Sequence, residues 1–307
     1  MVNDSQKSGL LLQRAWLLQQ LNGSYIIGGD TVGGDSEQNL AILEEDVRTR
    51  FCKELSILVN LYRSPVFDVL WHMGGQVSTH TVDRVAGLAY LLRSRKIPTY
   101  YEVKSPEDAL SVLVDRMDER YREQLLFLYP EPGEGERKHW RPSWNQVIVK
   151  TLPSMDPDRI QLYDKVDRDD KDAADVHDGY CIEQGRIKGL DKVDPIGESQ
   201  SGTLTVEDLE GKNHLFKIIA THQHLIPEGS YTLIGSDPWL QKSAESKDKD
   251  TKQYWVVGKL VQNSKKRPRK SDQRFEKLSV FQLADAERVM GLLDELGIAQ
   301  RSRNILI

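Results

Sequence analysis

The sequence predicts an α+β protein: a helical N-terminal part, then a small antiparallel β-rich sheet or barrel, then a terminal helix. Three observations predict it. Apolar residues recur at steps of three and four through the first 130 positions, which places them on one face of a helix. After about residue 200 the apolar period shortens to two, the signature of half-buried strands. The final stretch returns to the helical period and meets a glycine, a common helix stop.

The elements follow in order. Leu10 to Leu21 reads as a short amphipathic helix, and the run YII leads into the glycine-rich GGDTVGGD. A long helix is expected next, with Asp35 or Ser36 as N-cap and Leu40, Leu43, Val47, Phe51, Leu55, Leu58 and Tyr62 on its buried face. Val82 to Arg95 gives another, turned inward at Val85, Ala89 and Leu92. Ser105 caps a third, with Pro106 at the first helical position and Asp108 where a capping box places an acid. Its stripe of Leu110, Val114, Met117, Tyr121 and Leu125 predicts one helix ended by Pro130. The stretch PEPGEGERKHW is a loop by its proline and glycine content.

Residues 1–135 are therefore expected to form the helical part and residues 136–307 a β-rich domain. The aspartates between 156 and 178 suggest a solvated linker. Beyond it, TLTV, HLFKIIATH, SYTLIG, QYWVVGKLV and RFEKLSVF read as strands. The last helix starts at Asp285, faces inward with Val289, Met290, Leu293 and Leu296, and stops at Gly297.

Composition excludes several functions. A net charge of -5 is the wrong sign for a dedicated nucleic-acid binder. No apolar run reaches the length of about 20 residues that spans a membrane, and the polar opening MVNDSQKSGLLLQ is not a secretory signal. A cytoplasmic protein is expected, with the nucleus as the alternative. Cys52 and Cys181 are far apart and lack a CxxC neighbour, so buried thiols are expected rather than a zinc or redox pair.

Several local patterns invite chemistry. GGDTVGGD sits where phosphate loops sit but has no following lysine, so tight-turn glycines account for it. His222 and His224 form an HxH that could aim two rings at one metal if His214, Asp237 or Cys181 supplied a third ligand. Partly exposed structural histidines explain the pattern with less. Asp164, Asp167, Asp169, Asp170 and Asp172 lack the glycine that a calcium loop needs at its sharp turn. Lys265, Lys266, Arg267, Arg269 and Lys270 form the one concentrated basic run, read as a charged loop between two strands or as a docking signal. Trp140 and Trp144 flank Arg141 and Pro142. A seam between helices and sheet, or a ligand shelf, fits them. No catalytic residue, metal ligand set or cofactor is expected from these patterns.

A family resemblance follows from the order of several phrases. Asp83-Arg84-Val85 precedes GLAYLL; Ile97-Pro98-Thr99-Tyr100-Tyr101 and Ser105 follow; Arg141-Pro142-Ser143-Trp144 comes later. This order resembles the region after the core of fungal heterokaryon incompatibility (HET) domain proteins. RAWLLQQ resembles the closing motif of that core, mapping onto Arg14, Trp16, Gln19 and Gln20, with Gln20 where the family has a glutamate. The β-rich half resembles the C-terminal part of such proteins from mushroom-forming fungi. The resemblance implies a non-enzymatic protein that works through protein partners in non-self recognition and cell-death control. It leaves two alternatives: a TIR-like NAD hydrolase, and a nuclear or nucleic-acid-associated protein using the loop 264–270. Because the chain opens at the last core motif, dinucleotide cleavage is not expected.

Overall fold

A computed structural model describes residues 60–62, 64–76, 78, 80–95, 105–135, 138–153, 165–169, 173–192, 199–236, 253–261, 274–284 and 286–307, with 49, 53, 56 and 57. The chain forms two compact units, residues 1–118 and 119–307. The first is helical and the second is built on an antiparallel sheet, so the fold is α+β.

In the first unit, α1 (Val66–Gly74) buries Val66, Phe67, Val69, Leu70 and Met73. The predicted helix from 82 to 95 is two shorter pieces, α2 (Thr81–Ala86) and α3 (Leu88–Leu91), separated by Gly87. Val85, Ala89 and Leu92 are buried as expected. Arg84 donates to the carbonyls of Met73 and Gly74. It thereby satisfies carbonyls that a helix end leaves without partners and sets a cation against the negative end of the α1 dipole. α4 (Pro106–Val114) starts as predicted: the Ser105 hydroxyl accepts from the Asp108 amide at 3.1 Å, and proline opens the helix.

The single helix expected from Ser105 to Pro130 is broken. α4 ends at Val114, and α5 (Glu119–Leu128) opens the second unit. At the break, the Arg95 amide bonds the Arg116 carbonyl at 2.9 Å and the Asp118 amide bonds the Leu92 carbonyl at 3.3 Å. Backbone groups that would have continued the helix are tied to the end of α3 instead. The apolar stripe runs through the break without a change of period, which hides it in the sequence.

The segment read as a linker between 156 and 178 also differs. Its described part is sheet: β1 (Val166–Asp169) pairs with β2 (Ala174–Lys188), Val166 opposite His177. The remaining strands are β3 (Gln200–Glu207), β4 (Asn213–Ala220), β5 (Gly229–Gly235), β6 (Tyr254–Val261), β7 (Arg274–Leu283) and β8 (Gln300–Leu306). Between β7 and β8 lies a last helix (Ala286–Glu295). Val289 and Leu293 of that helix are buried, and Gly297 follows with φ 64°. The last strand, β8, was not expected. Of its inward positions only the last, Leu306, is apolar; Ser302 and Asn304 precede it, so no hydrophobic alternation marks the strand.

The pairings close on themselves. β2 pairs β3, β3 pairs β4, β4 pairs β7, β7 pairs β6, β6 pairs β5, and β5 returns to β2. This circuit is a barrel, which removes the open edges of its closing strands. The 15-residue β2 makes it possible. Its second half joins the circuit, while its first half extends to pair β1 on one side and β8 on the other. Ile182, Leu204, Phe216, Ile218, Leu233, Trp255, Val257 and Phe281 form the interior, and Val289 and Leu293 join them.

Two buried charges fix α5 to this barrel. Lys277 of β7 is fully buried, and its ammonium donates to the carbonyls of Leu126 at 2.7 Å and of Leu125 and Trp140 at 3.4 Å. Asp175 of β2 accepts from the buried Arg122 of α5, from Arg168 at 3.2 Å and from the Trp140 indole at 3.1 Å, with Lys138 at 3.3 Å. Burial alone would raise the Asp175 carboxyl; Lys138, Arg122 and Arg168 outweigh it and hold it below its ordinary value.

Asp175→Ala leaves Arg122 buried without its carboxylate. It is expected to destabilise the second unit by about 3–5 kcal/mol, read from urea unfolding. A carboxyl depressed by folding contributes stability above its unfolded value of 3.8 and loses it as pH falls through the folded value. The variant's stability should therefore fall less steeply with acid than the wild type's. Lys277 has the opposite arithmetic. Burial pushes its amine well below the ordinary 10.5, so the unfolded chain holds more protons between the folded value and 10.5, and stability rises with pH across that window. Lys277→Met is expected to flatten that rise in urea unfolding at alkaline pH; an unchanged slope would remove Lys277 as its source.

Candidate functional site

The second unit contains a cleft of ≈ 950 Å³, within the ~300–1,000 Å³ typical of ligand sites. The end of α5 and the segment after it supply Leu128, Pro130 and Glu131 to one wall. Lys150 to Pro153, following α6 (Trp144–Val149), extend it. The far side is the end of β4 with Thr221 to Leu225, and the floor is Tyr254 of β6 with Val280, Phe281 and Gln282 of β7.

The wall is held by local bonds. Ser143 caps α6 in a reciprocal box: its hydroxyl accepts from the Gln146 amide at 3.2 Å, and the Gln146 side-chain oxygen accepts from the Ser143 amide at 2.8 Å. The same oxygen accepts from the Glu134 amide at 3.1 Å, and the Gln146 side-chain nitrogen donates to the Pro132 carbonyl at 2.9 Å. The proline- and glycine-rich loop is thus pinned to the start of α6. Gly133 is required there, because a Cβ would run into the carbonyls of Arg141 and Lys138.

β7 pairs with β4 at Gln282 and Leu283 and with β8 at Arg274 and Phe275. Between these points, among the described residues, no strand lies on that edge. The His222 ring fills part of the gap by donating from Nε2 to the Val280 carbonyl at 2.7 Å. Burial lowers the pKa of His222, against the pull of that carbonyl. Burial also lowers that of His224, which the Leu278 carbonyl and Glu131 oppose. Both rings are neutral at pH 7. At the rim, Lys150 pairs with Glu131 at 3.3 Å.

Tyr254 and Ile219 both stand directly opposite Gln282, one on each neighbouring strand. Cross-strand partners share a face, so isoleucine, glutamine and tyrosine form one row along the floor. Gln282 is 8% exposed. Among the described residues, neither its amide nor the Tyr254 hydroxyl has a hydrogen-bond partner. Burial raises the Tyr254 pKa, so the phenol is protonated.

The structure answers several of the sequence readings. The two histidines of the HxH sit together, with ring centroids 6.5 Å apart, but the proposed third ligands do not join them. His214 is tied to Asp208 at 2.7 Å in the β3–β4 turn, Cys181 is buried in β2, and Asp237 lies outside the described residues. Among the described residues no group of three metal-ligating side chains occurs. Of the aspartate run, Asp169 pairs with Arg303 at 2.6 Å and Asp167 faces outward on β1. Asp164, Asp170 and Asp172 lie outside the described residues. Arg14, Trp16, Gln19, Gln20, the GGDTVGGD loop and the basic run from Lys265 to Lys270 also lie outside them.

The described family-motif residues hold local structure. Asp83 is in the first turn of α2, within 3.4 Å of the Ser78 hydroxyl. Pro142 accepts from Arg141 at 2.8 Å through its carbonyl, and Trp144 opens α6 and is buried. The residues that the sequence reading missed are Asp175, Lys277, Tyr254 and Gln282. Only Lys277 left a signal: it shares strand parity with the buried Phe275.

Comparison with protein-family models, curated proteins and solved structures finds no match. No helix among the described residues is long and apolar enough to cross a membrane.

The histidine assignment is testable by NMR titration. Ring resonances of His222 and His224 are expected to titrate with midpoints below the ordinary 6.5. A midpoint above 6.5 for His222 would mean that its ring is charged against the Val280 carbonyl.

Proposed function

We propose that the protein acts by binding rather than by catalysis, as a member of the fungal heterokaryon incompatibility group that works through protein partners in non-self recognition and cell-death control. The observation that carries the non-catalytic part is where the second unit places its buried charge. Asp175 is held by Arg122, Arg168, Lys138 and the Trp140 indole, and Lys277 by three backbone carbonyls. These are the contacts of groups that join a helix to a barrel. Catalytic acids and bases instead keep a reactive atom within reach of a substrate. Cys181, the one described thiol, is buried with its pKa pushed up to about 12, which leaves it without the thiolate a nucleophile needs.

The family part rests on the ordered phrases around Asp83, Ser105 and Trp144. Their roles in capping and packing fit motifs retained for structure: Arg84 closes α1, Ser105 opens α4, and Ser143 opens α6.

Incubation of the purified chain with NAD, followed by measurement of released nicotinamide, tests the reading. No turnover is expected. Induced expression in a filamentous-fungal host is expected to arrest growth while cellular NAD stays constant. Turnover that disappears on substituting Glu44 or Glu45, the acids nearest the glycine-rich loop, would overturn the proposal in favour of a nucleotide hydrolase.

A further inference from the structure

We infer that the cleft binds a small molecule carrying a planar cyclic amide, with its N–H and C=O side by side, and that Gln282 and Tyr254 read that edge. This goes beyond the proposed action through protein partners and does not depend on it.

The inference starts from the floor of the cleft. Gln282 is more than nine-tenths buried, yet its amide lacks a hydrogen-bond partner among the described residues. It is not one of the sealed, unsatisfied groups of the interior; it opens to the cleft, where a ligand can replace water as its partner. Its neighbour Tyr254 is directly opposite on β6 and offers a second such group, a protonated phenol. The backbone beneath them is fixed. The Tyr254 amide donates to the Ser236 hydroxyl at 3.2 Å, the Ser236 amide donates to the Tyr254 carbonyl at 2.9 Å, and the Gln253 side chain donates to the Ser236 carbonyl at 2.9 Å. Both side chains are therefore presented by paired strands, which hold a site more firmly than a loop does.

The ligand class follows from the donors and acceptors. A glutamine amide has one N–H side and one oxygen side in a plane, and it pairs in two points with a group that has the complementary pair. A lactam or a nucleobase has that edge. The phenol can donate to or accept from a neighbouring atom of the same ring. Around this polar floor the cleft is apolar: Leu128, Leu152, Ile219 and Leu225 line it. These surfaces suit the faces of a ring. His222 is turned to the Val280 carbonyl and takes no part in reading the edge. The volume of ≈ 950 Å³ exceeds a single ring, so the ligand carries a substituent, which extends toward the Glu131–Lys150 rim.

Ligand-observed NMR on the full chain tests this with defined probes. 2-Pyridone and uracil carry the edge; 1-methyl-2-pyridone has the same ring and carbonyl without the N–H; toluene has only the apolar face. The first two are expected to bind at millimolar concentration or better, the methylated ring and toluene at least tenfold more weakly. Stronger binding of uracil than of 2-pyridone would point to a nucleobase, the reverse to a simple lactam. Gln282→Leu keeps the volume and apolar contact but removes the amide. It is expected to weaken both probes at least tenfold, with Tyr254→Phe acting in the same direction. Arg301→Ala, on β8 and away from the cleft, should leave binding unchanged. Thermal unfolding checks that each variant is folded, and Ile219→Trp, filling the same row, supplies a second means of blocking the site. Failure of both edge-bearing probes to bind would overturn the inference. So would equal binding of 1-methyl-2-pyridone, or an unchanged affinity in folded Gln282→Leu. None of these outcomes bears on the NAD assay, so the two proposals stand or fall separately.

Discussion

The second unit depends on an ammonium group that has no water around it. Lys277 shares its face of β7 with the buried aromatic Phe275. Taking such a charge out of water costs several kcal/mol, and among the described residues no carboxylate pairs with it. What offsets the cost is the end of α5. The last carbonyls of a helix have no partners within it and carry the negative end of its dipole. Lys277 donates to two of them and to the Trp140 carbonyl. The helix end needs a cation and the buried cation needs acceptors, so each meets the other's deficit. α5 therefore has one docking position on the barrel, fixed by where β7 delivers the lysine.

Asp175 fixes the same helix at another point along it. Arg122, one turn before the carbonyls that Lys277 holds, bonds Asp175 and the Asp167 carbonyl. The guanidinium also lies over the Trp140 ring, 5.9 Å from its centroid. Trp140 thus belongs to both clusters: its indole donates to Asp175 and its carbonyl accepts from Lys277. With two anchors on one helix, rotation as well as translation is restricted. The first unit uses a smaller version of this device, the Arg84 guanidinium on the C-terminal carbonyls of α1.

The sequence showed the elements that are governed by apolar period and missed those governed by polar contacts. The strands around Leu204, Phe216, Leu233, Val257 and Phe281 were legible because their interior residues are apolar and alternate. The caps at Ser105 and Gly297 were legible because capping chemistry is local. The aspartates between 156 and 178 look alike in a sequence. Only the fold distinguishes Asp175, surrounded by cations, from Asp167, which faces outward. β8 escaped because Asn304, fully buried, stands where an apolar residue would have announced a strand. The break after Val114 escaped because the stripe continues across it into Tyr121 and Leu125. At the cleft, the HxH drew notice by its spacing, whereas Gln282 and Tyr254 are ordinary residues of two strands. Their relation is a cross-strand register that no local pattern encodes.

The anchored helix and the cleft are consecutive parts of one construction. Leu128, Pro130 and Glu131, which form a wall of the cleft, follow directly on the carbonyls that Lys277 holds. Phe281 and Gln282 of the floor are four and five residues further along the strand that carries Lys277. A single side chain therefore joins wall to floor near the site, and the Gln146 side chain, bonded to Pro132 and Glu134, secures the next stretch of wall. Binding sites lose affinity when groups must be ordered on association. Here the wall is tied down before any ligand arrives, by contacts that also stabilise the fold. This accounts for placing a lysine, at considerable desolvation cost, between the barrel and α5, where an apolar residue could have packed: the contact that docks the helix also ties the wall of the cleft to its floor.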